Sequence, residues 1–562
     1  MLARKWWKEA VVYQIYTKSF YDTNGDGIGD LPGIIKKLDY LKGLGVDVIW
    51  LCPVYDSPNA DNGYDIADYY SIDKQYGGME AWDELLREMH KRDMKLIMDL
   101  VINHTSSKHN WFKQSRSSKE NPYRDYYIWR DGKDGKEPNN WASYFTPSAW
   151  ELDPQTNQYY LHLFASEQPD LNWKNPKVKD EIFSMIKWWM DKGIDGFRMD
   201  VINHLCKKDG FLDSDKASEF GSNYVFDADM FTNQAGVHEI LREMNENILC
   251  YYDILTVGET PNVTPESGLL YVEEDRKELD MIFSFELMLL GCGKNGKWDV
   301  LDWKLSDFKR IIRKWQTQLD GKGWNSIYLN NHDQPRMVSR FGNDSKFREV
   351  SAKALATLNF TLQGTPYIYQ GEEIGMTNVP FESMDDYNDL DTHNAYSQMK
   401  ASGSLSEEEI MDRIRQKSRD NARTPMQWDT SDHAGFSEGT PWLKVNPNYK
   451  DINVVESTEN KGSVLHYYRQ LIQVRKSNAT LVYGHYQEFY EEDEEIYCYK
   501  RYDEDNSFFV IINFTDKEVS CHLPCEVNLS GAMLEISNYD NTDISESHLL
   551  LQPYEARVYK LI

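Results

Sequence analysis

Residues 79–100, MEAWDELLREMHKRDMKLIMDL, join a helical pattern to a short apolar strand. The apolar residues at positions 79, 82, 85, 86 and 89 follow the spacing of one helix face, and the run from Lys95 to Leu100 is typical of a fully buried strand. The same alternation extends in both directions, with strand patterns at 11–16, 48–51, 195–200, 254–258, 281–283, 326–330 and 367–369. About eight such units in succession predict an α/β fold, a closed (β/α)8 TIM barrel of parallel strands.

Two long segments interrupt this alternation. Residues 105–173 are rich in aromatic residues, Asn and Pro and are too long for an ordinary connection, so we predict a small domain inserted after the third strand. A second excursion, at about 375–430, follows the eighth strand and includes an acidic helical segment from Ser406 to Arg415. Both are expected at the active face, which the loops following barrel strands build. Alternating strands predict a C-terminal antiparallel β domain at 481–562, which leaves 1–104 and 174–480 for the barrel.

The composition excludes some classes of binding partner. The 562 residues carry a formal charge of −29, which would repel the phosphate backbone of a nucleic acid but leaves an uncharged substrate such as a sugar unaffected. The seven cysteines are odd in number and lie mostly in apolar contexts, as expected of reduced thiols. The N-terminus lacks the apolar core of a signal peptide, and the chain has no run of about 18 apolar residues. We therefore expect a cytoplasmic monomer that binds neither nucleic acid nor membrane.

Acidic residues recur where the predicted strands end. Asp99, Asp200, Glu259 and Asp333 each lie at or just beyond the carboxyl end of a strand pattern. Strand interiors normally exclude such residues, and the carboxyl ends of barrel strands meet at one face. Any one of these acids could simply cap a helix or form an ion pair. Together they predict one shared pocket at the top of the barrel.

Four segments around these acids carry a resemblance to a known family. The segments DLVINH (99–104), GFRMDV (196–201), VGET (257–260) and NHD (331–333) resemble, in order and spacing, the four sequence regions of the α-amylase family of glycoside hydrolases (family 13). The segment QPDLN (168–172) is similar to the additional region that marks the oligo-1,6-glucosidase branch of that family. The likeness spans nearly the whole chain, including the inserted and C-terminal domains. It implies a retaining glycosidase with Asp200 as nucleophile, Glu259 as acid/base and Asp333 as the third carboxylate.

Retention sets chemical requirements on these residues. One carboxylate attacks the anomeric carbon while another protonates the leaving oxygen, and the two lie about 5 to 5.5 Å apart. Glu259 must hold a proton near neutral pH, so we expect it near like charge and away from solvent, with a raised pKa. Arg198 lies two residues before Asp200 on the same strand face and is expected to keep Asp200 ionised.

The resemblance also implies contacts to the terminal glucose. Asp61, Tyr64, His104 and His332 match family residues that bind or stack on this sugar. An arginine of the segment RDNAR (419–423) matches another contact; we favour Arg419, while Arg423 stays open. Two aromatic residues of the inserted domain are further candidates for the pocket wall, although a single aromatic is more often part of the core. These are Phe145 and Phe164.

The loop DTNGDGIGD (22–30) places oxygen-bearing residues at alternate positions. Such oxygens suit a hard cation like Ca²⁺. An EF-hand would need Glu at the twelfth position, where this chain has Gly33, so that motif is excluded. Relatives of the branch often bind one structural Ca²⁺ in this loop, and we expect no catalytic cofactor. The ligands implied are Asp22, Asn24, Asp26, Asp30 and the carbonyl of Ile28.

Val201 follows the expected nucleophile, where α-1,4-preferring relatives commonly have Thr. An apolar side chain beside the +1 sugar favours α-1,6 linkages, which predicts hydrolysis of isomaltose, isomaltooligosaccharides and panose from the non-reducing end. The alternatives are a dextran glucosidase, an α-1,4-active α-glucosidase, a trehalose-6-phosphate hydrolase or a sucrose isomerase. A phosphate substrate would need a cationic subsite and an isomerase an arginine-rich loop, and neither is evident around 336–340. A non-catalytic carbohydrate-binding relative would be expected to have lost part of the carboxylate triad.

Overall fold

A computed structural model describes residues 3–145, 147–218, 222–540 and 548–562. The eight parallel strands of its main sheet are β1 Val12–Ile15, β2 Val48–Leu51, β3 Lys95–Leu100, β4 Gly196–Met199, β5 Leu255–Thr260, β6 Met281–Ser284, β7 Ser326–Ile327 and β8 Thr365–Tyr369. They pair in the order β6, β5, β4, β3, β2, β1, β8 and β7, and a parallel bridge between Ile282 in β6 and Asn325 before β7 closes the ring. The predicted (β/α)8 barrel is thereby confirmed, including its sixth strand.

A helix follows each barrel strand and packs its apolar stripe outside the sheet. The first begins after Asp30, whose side chain accepts from the N–H of Gly33, and ends at Gly45 with φ of 107°, a conformation that glycine adopts without strain. The second buries four of the five predicted residues, Trp82, Leu85, Leu86 and Met89, and leaves Met79 half-buried. The helices are α1 Leu31–Leu44, α2 Gly78–His90, α3 Pro176–Asp191, α4 Gly236–Asn247, α5 Pro265–Val272, α6 Leu305–Leu319, α7 Arg348–Thr361 and α8 Val464–Ser477.

The insertion after β3 contains a helix, Asn110–Ser117, and a three-stranded antiparallel sheet. Its apolar cluster joins Trp141 and Phe164 to Val201, which follows β4, so the insertion packs directly against the barrel top. This contact makes the insertion one wall of the region above the barrel. The strands of the small sheet are Trp129–Arg130, Trp150–Asp153 and Gln158–Leu161.

The connections after β6 and β8 supply the facing wall. A hairpin of Cys292–Gly293 and Gly296–Val300 follows β6. The helices Leu390–Ser402, Glu407–Lys417 and Asp420–Arg423 follow β8, and Ser406 caps the second of them through a reciprocal bond with Glu409. Shorter elements before the C-terminal sheets include helices Trp6–Glu9, Met337–Phe341, Val454–Glu459 and Ala479–Tyr483, and a hairpin of Tyr55–Asp56 with Asp68–Ile72.

The C-terminal part is antiparallel, as predicted. A five-stranded sheet packs beside a two-stranded one around its own apolar cluster. The strands of the first are His485–Phe489, Ile496–Tyr502, Ser507–Asn513, Met533–Ser537 and Ala556–Leu561, and those of the second are Val519–His522 and His548–Leu551. Across the described ranges, no helix combines the length and apolar character needed to cross a bilayer.

Candidate active site

A cavity of about 350 Å³ opens at the carboxyl ends of the barrel strands. Asp200, Glu259 and Asp333 all line it, as the strand-end pattern predicted. Its walls come from the insertion after β3, the loops after β4 and β6, and the helices after β8. Most of the predicted catalytic and glucose-contact residues are thus brought together from distant parts of the chain into one pocket, whereas Arg198 and His332 are buried and do not line it.

Arg198, in β4, connects the two acids expected to perform the chemistry. Its Nη1 lies 2.8 Å from Oδ1 of Asp200 and 2.6 Å from Oδ1 of Asp99, while its Nη2 lies 2.7 Å from Oε2 of Glu259. Its side chain is only 1% exposed, so these ion pairs are shielded from water. One guanidinium therefore fixes both carboxylates at the cavity floor.

A strained turn supports the same pair. Val201 has φ of 34° and ψ of 44°, in the left-handed region that a β-branched residue rarely adopts. Its backbone N–H donates to Oε2 of Glu259 at 3.0 Å. Oε2 thus accepts from Val201 and forms an ion pair with Arg198, so a proton on this carboxyl is placed on Oε1.

The electrostatics of the pair differ in part from the prediction. Arg198 contacts Asp200 as expected, yet the pKa of Asp200 is raised, because burial and the charge of Glu259 outweigh the guanidinium. Burial likewise raises the pKa of Asp99 to about 6 against the effect of Arg198. Burial thus opposes the ionised form of Asp200, and the contact with Arg198 is what favours its carboxylate.

Asp333 lies in a turn after β7 in a different environment. Its Oδ1 lies 2.7 Å from Nη2 of Arg423 and 3.3 Å from Nη1 of Arg419, and its Oδ2 lies 3.2 Å from Nε2 of His332. Burial opposes ionisation, but His332 and the two arginines together hold the pKa of Asp333 well below its usual range. Asp333 is therefore an anion at neutral pH.

The residues expected to contact a terminal glucose form a connected group. Tyr64 stacks on His332 with 5.3 Å between ring centroids and bonds through its hydroxyl to Oδ2 of Asp99 at 3.1 Å. His104 Nε2 lies 3.0 Å from the carbonyl of Tyr64. Burial lowers the pKa of His104 to about 4 and that of His332 to about 3. Both imidazoles are therefore neutral. His104 lines the cavity, whereas His332 is fully buried and contacts Tyr64 and Asp333, which do line it.

Arg419 and Arg423 occupy different depths. Arg419 lines the cavity, and its Nη2 lies 3.3 Å from Oδ1 of Asp61. Arg423 is 1% exposed, and its Nε donates to the carbonyl of His332 at 3.0 Å. Burial raises the pKa of Asp61 to about 6, with Arg419 opposing the shift. The geometry thus gives Arg419 direct access to a ligand and Arg423 a supporting position.

The apolar wall includes both predicted phenylalanines. Phe164 stacks on Tyr144 at 4.8 Å and contacts Phe145 at 5.6 Å between centroids. The guanidinium of Arg419 lies 4.7 Å from the ring centroid of Phe145. Val201 lines the same cavity with its side chain. The wall presents flat apolar surface of the kind on which a sugar face packs.

Three buried residues of the site were given no specific role by sequence reasoning. Asp99 was predicted as one of the strand-end acids that share a pocket, but its ion pair with Arg198 was not. Gln168 Nε2 donates to Oδ2 of Asp61 at 3.2 Å. Asp389, 0% exposed, binds Arg419 and precedes a helix; its only sequence signal is that of a helix cap.

The predicted calcium loop is a compact series of turns. Asp22 accepts from the backbone N–H groups of Asn24, Gly25 and Gly27. Asp30 accepts from Thr23 and, as noted, caps α1. Among the residues that the structure describes, no group of three or more His, Cys, Asp or Glu side chains is arranged to hold a metal. The expected donor set also contains neutral oxygens, and its all-oxygen chemistry suits Ca²⁺.

Comparison with known proteins extends the likeness over the whole chain. Residues 14–484 match the family described as alpha amylase, catalytic domain, and residues 486–558 match that described as maltogenic amylase, C-terminal domain. The chain is 57% identical to the oligo-1,6-glucosidase of Parageobacillus thermoglucosidasius, with 100% of both chains covered. The crystal structure of isomaltulose synthase from Klebsiella sp. LX3 has a TM-score of 0.96 at 45% identity, also covering 100% of both. That of trehalose-6-phosphate hydrolase from Bacillus licheniformis has a TM-score of 0.94 at 46% identity, covering 99% of this chain and 100% of the other.

Proposed function

Because this chain belongs to the α-amylase family of glycoside hydrolases, we propose that it is a retaining α-glucosidase of the oligo-1,6-glucosidase type. The observation that carries the proposal is the contact of one buried guanidinium, Arg198, with both Asp200 and Glu259 at the cavity floor. A double displacement needs two carboxylates acting on one bond from a common site. The relatives at higher identity support the α-1,6 assignment over the phosphate hydrolase and the isomerase.

The reaction takes two steps. The carboxylate of Asp200 attacks the anomeric carbon as Glu259 transfers its proton, placed on Oε1, to the glycosidic oxygen. The glycosidic bond breaks, the aglycone leaves as an alcohol, and a glucosyl ester forms on Asp200. Glu259, now ionised, removes a proton from water, whose oxygen attacks the same carbon. Glucose leaves with retained configuration, and both side chains return to their starting states.

The fixed anion Asp333 contributes by binding sugar hydroxyls and by favouring the positive charge that develops on the ring. The neutral His104 and His332, with Asp61 and Arg419, hold the terminal glucose, so that cleavage proceeds from the non-reducing end. The Phe145 and Phe164 rings pack beside the sugar. These roles make the floor of the cavity a site for one glucose unit.

Val201 lies next to the nucleophile and presents apolar surface where the second sugar would bind. This surface is proposed to favour the more flexible α-1,6 linkage, with isomaltose, isomaltooligosaccharides and panose as substrates. Initial rates on isomaltose, maltose, trehalose-6-phosphate and sucrose, measured side by side, test this specificity. Isomaltose should be the best of the four. Faster cleavage of the phosphorylated sugar, or conversion of sucrose to an isomer, would replace this function with one of the alternatives.

We propose further that the loop 22–30 holds one structural Ca²⁺ through the side chains of Asp22, Asn24, Asp26 and Asp30 and the carbonyl of Ile28. Its oxygen donors support this assignment. The protein is proposed to act as a cytoplasmic monomer; seven cysteines that are all free thiols agree with a reducing compartment. Elemental analysis and light scattering test the metal and the oligomeric state separately.

A further inference from the structure

Asp389 lies behind the glucose-binding wall and has two separate sets of partners. It is 0% exposed and immediately precedes the helix Leu390–Ser402. Its Oδ1 accepts from Nε of Arg419 at 2.9 Å and from Nη2 of Arg419 at 2.6 Å, and Nη1 of Arg423 lies 3.7 Å away. Its Oδ2 accepts from the N–H of Thr392 at 3.2 Å and from the hydroxyl of Thr392 at 2.8 Å. One oxygen thus serves the arginines and the other caps a helix.

The capped helix itself forms part of the pocket wall. Asp391, Asn394 and Gln398 on this helix line the same cavity as Arg419. The carboxylate of Asp389 therefore connects the arginine on the floor of the cavity to the helix that forms part of its rim. A residue at this junction can therefore fix the position of the arginine relative to that of the helix.

The contact distances show how Arg419 divides its charge. Its shortest ion pair, 2.6 Å, is with Asp389, whereas those with Asp61 and Asp333 are 3.3 Å each. Asp61 and Asp333 line the cavity and face a ligand, while Asp389 lies behind it. Because the strongest contact of Arg419 is with the buried anion, the two pocket carboxylates keep acceptor capacity for sugar hydroxyls.

We propose that Asp389 is a positioning residue that anchors Arg419 away from Asp61 and Asp333, and so keeps the glucose-binding floor open. The inference rests on the proposed function only in that the pocket receives a terminal glucose. Without this anchor, the carboxylates that remain in ion-pair contact with Arg419 are those of Asp61 and Asp333, and the guanidinium turns toward them. An arginine paired in this way competes with the sugar for the same oxygens.

The test is a binding measurement that needs no turnover. Calorimetric titration with 1-deoxynojirimycin, a glucose-shaped imino sugar, gives its Kd for the wild type and for Asp389→Asn. The amide can still cap the helix but loses the charge that holds Arg419, so Kd should rise about tenfold or more. The matched control Thr392→Val removes a contact to Oδ2 and leaves Oδ1 unchanged; it should lower Tm and change Kd by less than about twofold.

A double-mutant cycle separates anchoring from general destabilisation. If Asp389 acts through Arg419, adding Asp389→Asn to Arg419→Gln should not weaken binding further. The double variant has no guanidinium left without its partner, so it should keep its fold. An unchanged Kd in Asp389→Asn, equal weakening by Thr392→Val, or a full effect in the Arg419→Gln background would overturn the proposal. Because these are binding constants, a wrong assignment of linkage would leave the result intact and appear only in the substrate rates.

Discussion

The backbone N–H of Val201 lies 3.0 Å from Oε2 of Glu259, and it is directed there by a left-handed conformation with φ of 34°. A non-glycine residue held in such a region costs about 1 to 3 kcal/mol, which surrounding contacts must offset. Since Val201 directly follows Asp200, one strained turn orients the proposed nucleophile and the proposed acid together.

The strain predicts an unusual order of stability at this position. Val201→Gly and Val201→Ala both remove the isopropyl group, but only glycine accepts a positive φ without strain. We therefore expect Val201→Gly to be the more stable variant, by about 1 kcal/mol in the free energy of unfolding. Urea denaturation measures the difference. Val48, in the regular strand β2, is the control, because there the alanine variant should be more stable than the glycine variant. A more stable alanine variant at position 201 as well would contradict the proposed strain.

Asp200→Ala tests the proposed nucleophile. The variant should lose at least about a thousandfold in kcat on isomaltose, because the covalent step depends on this carboxylate. Arg198 keeps Asp99 and Glu259 as partners, so the fold and Tm should change little. Azide, which can occupy the space left by the carboxylate, should restore turnover and give a glucosyl azide of inverted configuration. Activity close to the wild type without azide would exclude Asp200 from this role.

The elements that sequence reasoning predicted are those with a regular period. The burial of β3 and the apolar face of α2 follow directly from residue spacing, and the strand-end acids Asp200 and Glu259 follow from the direction of the strands. The conformation of Val201 could not be predicted in this way, because β-branched residues intrinsically avoid it. Only the tertiary contact with Glu259 shows why it is retained.

The other features that could not be predicted from the sequence lie in irregular segments. Asp389 lies in a loop without periodic pattern, and its pairing with Arg419, 30 residues later, depends on how the excursion after β8 folds back on itself. The choice between Arg419 and Arg423 likewise depended on how deeply each side chain lies below the cavity surface, and the sequence of a short helical segment does not reveal this. The strand β7 ends at Ile327 although its pattern extended to 330, because the chain turns there to bring Asp333 to the cavity.

Removal of calcium should affect stability more than catalysis. A ligand bound only to the folded state raises its stability, and the loop 22–30 lies outside the group of residues that line the cavity. Treatment with a chelator should therefore lower Tm while leaving the initial rate at moderate temperature nearly unchanged. Asp26→Ala, which removes one proposed ligand, should reproduce the shift and abolish its dependence on chelator. An identical melting curve before and after treatment, with no metal in elemental analysis, would remove the calcium assignment.

A pair of buried glutamates predicts a pH dependence of stability. Burial, with the charge of Glu373 adding to it, raises the pKa of Glu372 to about 8 from an ordinary value of 4.5. Glu372 accepts from the hydroxyl of Tyr468 at 2.7 Å, and Tyr13 and Tyr40 donate to Glu373. The folded protein thus binds a proton that the unfolded chain has lost, so this contribution is fully present below pH 4.5 and is lost as pH rises through 8.

Glu372→Gln mimics the protonated form and should flatten that dependence. Melting temperatures at several values between pH 5 and pH 8 should fall less steeply for the variant than for the wild type. Glu181→Gln on α3 makes the same chemical substitution at an exposed position and serves as the control, with a wild-type slope expected. Parallel slopes for wild type and Glu372→Gln would show that Glu372 does not hold its proton in the fold.

The linkage preference is tested by Val201→Thr, which exchanges one methyl group for a hydroxyl. The two side chains have nearly the same shape, and the backbone N–H of Val201 remains available to Glu259, so the proposed acid should keep its position. What changes is polarity at the cavity wall beside the second sugar: a hydroxyl can bond an α-1,4-linked sugar or hold a water for it.

A difference of this kind is worth about 1 to 3 kcal/mol, or roughly tenfold to two-hundredfold in kcat/KM. The ratio of kcat/KM for isomaltose to that for maltose should exceed one in the wild type and fall by such a factor in the variant, with neither activity abolished. A variant with an unchanged ratio would make Val201 a packing residue of the cluster around Trp141 and Phe164, and the α-1,6 assignment would then lose its support from this position.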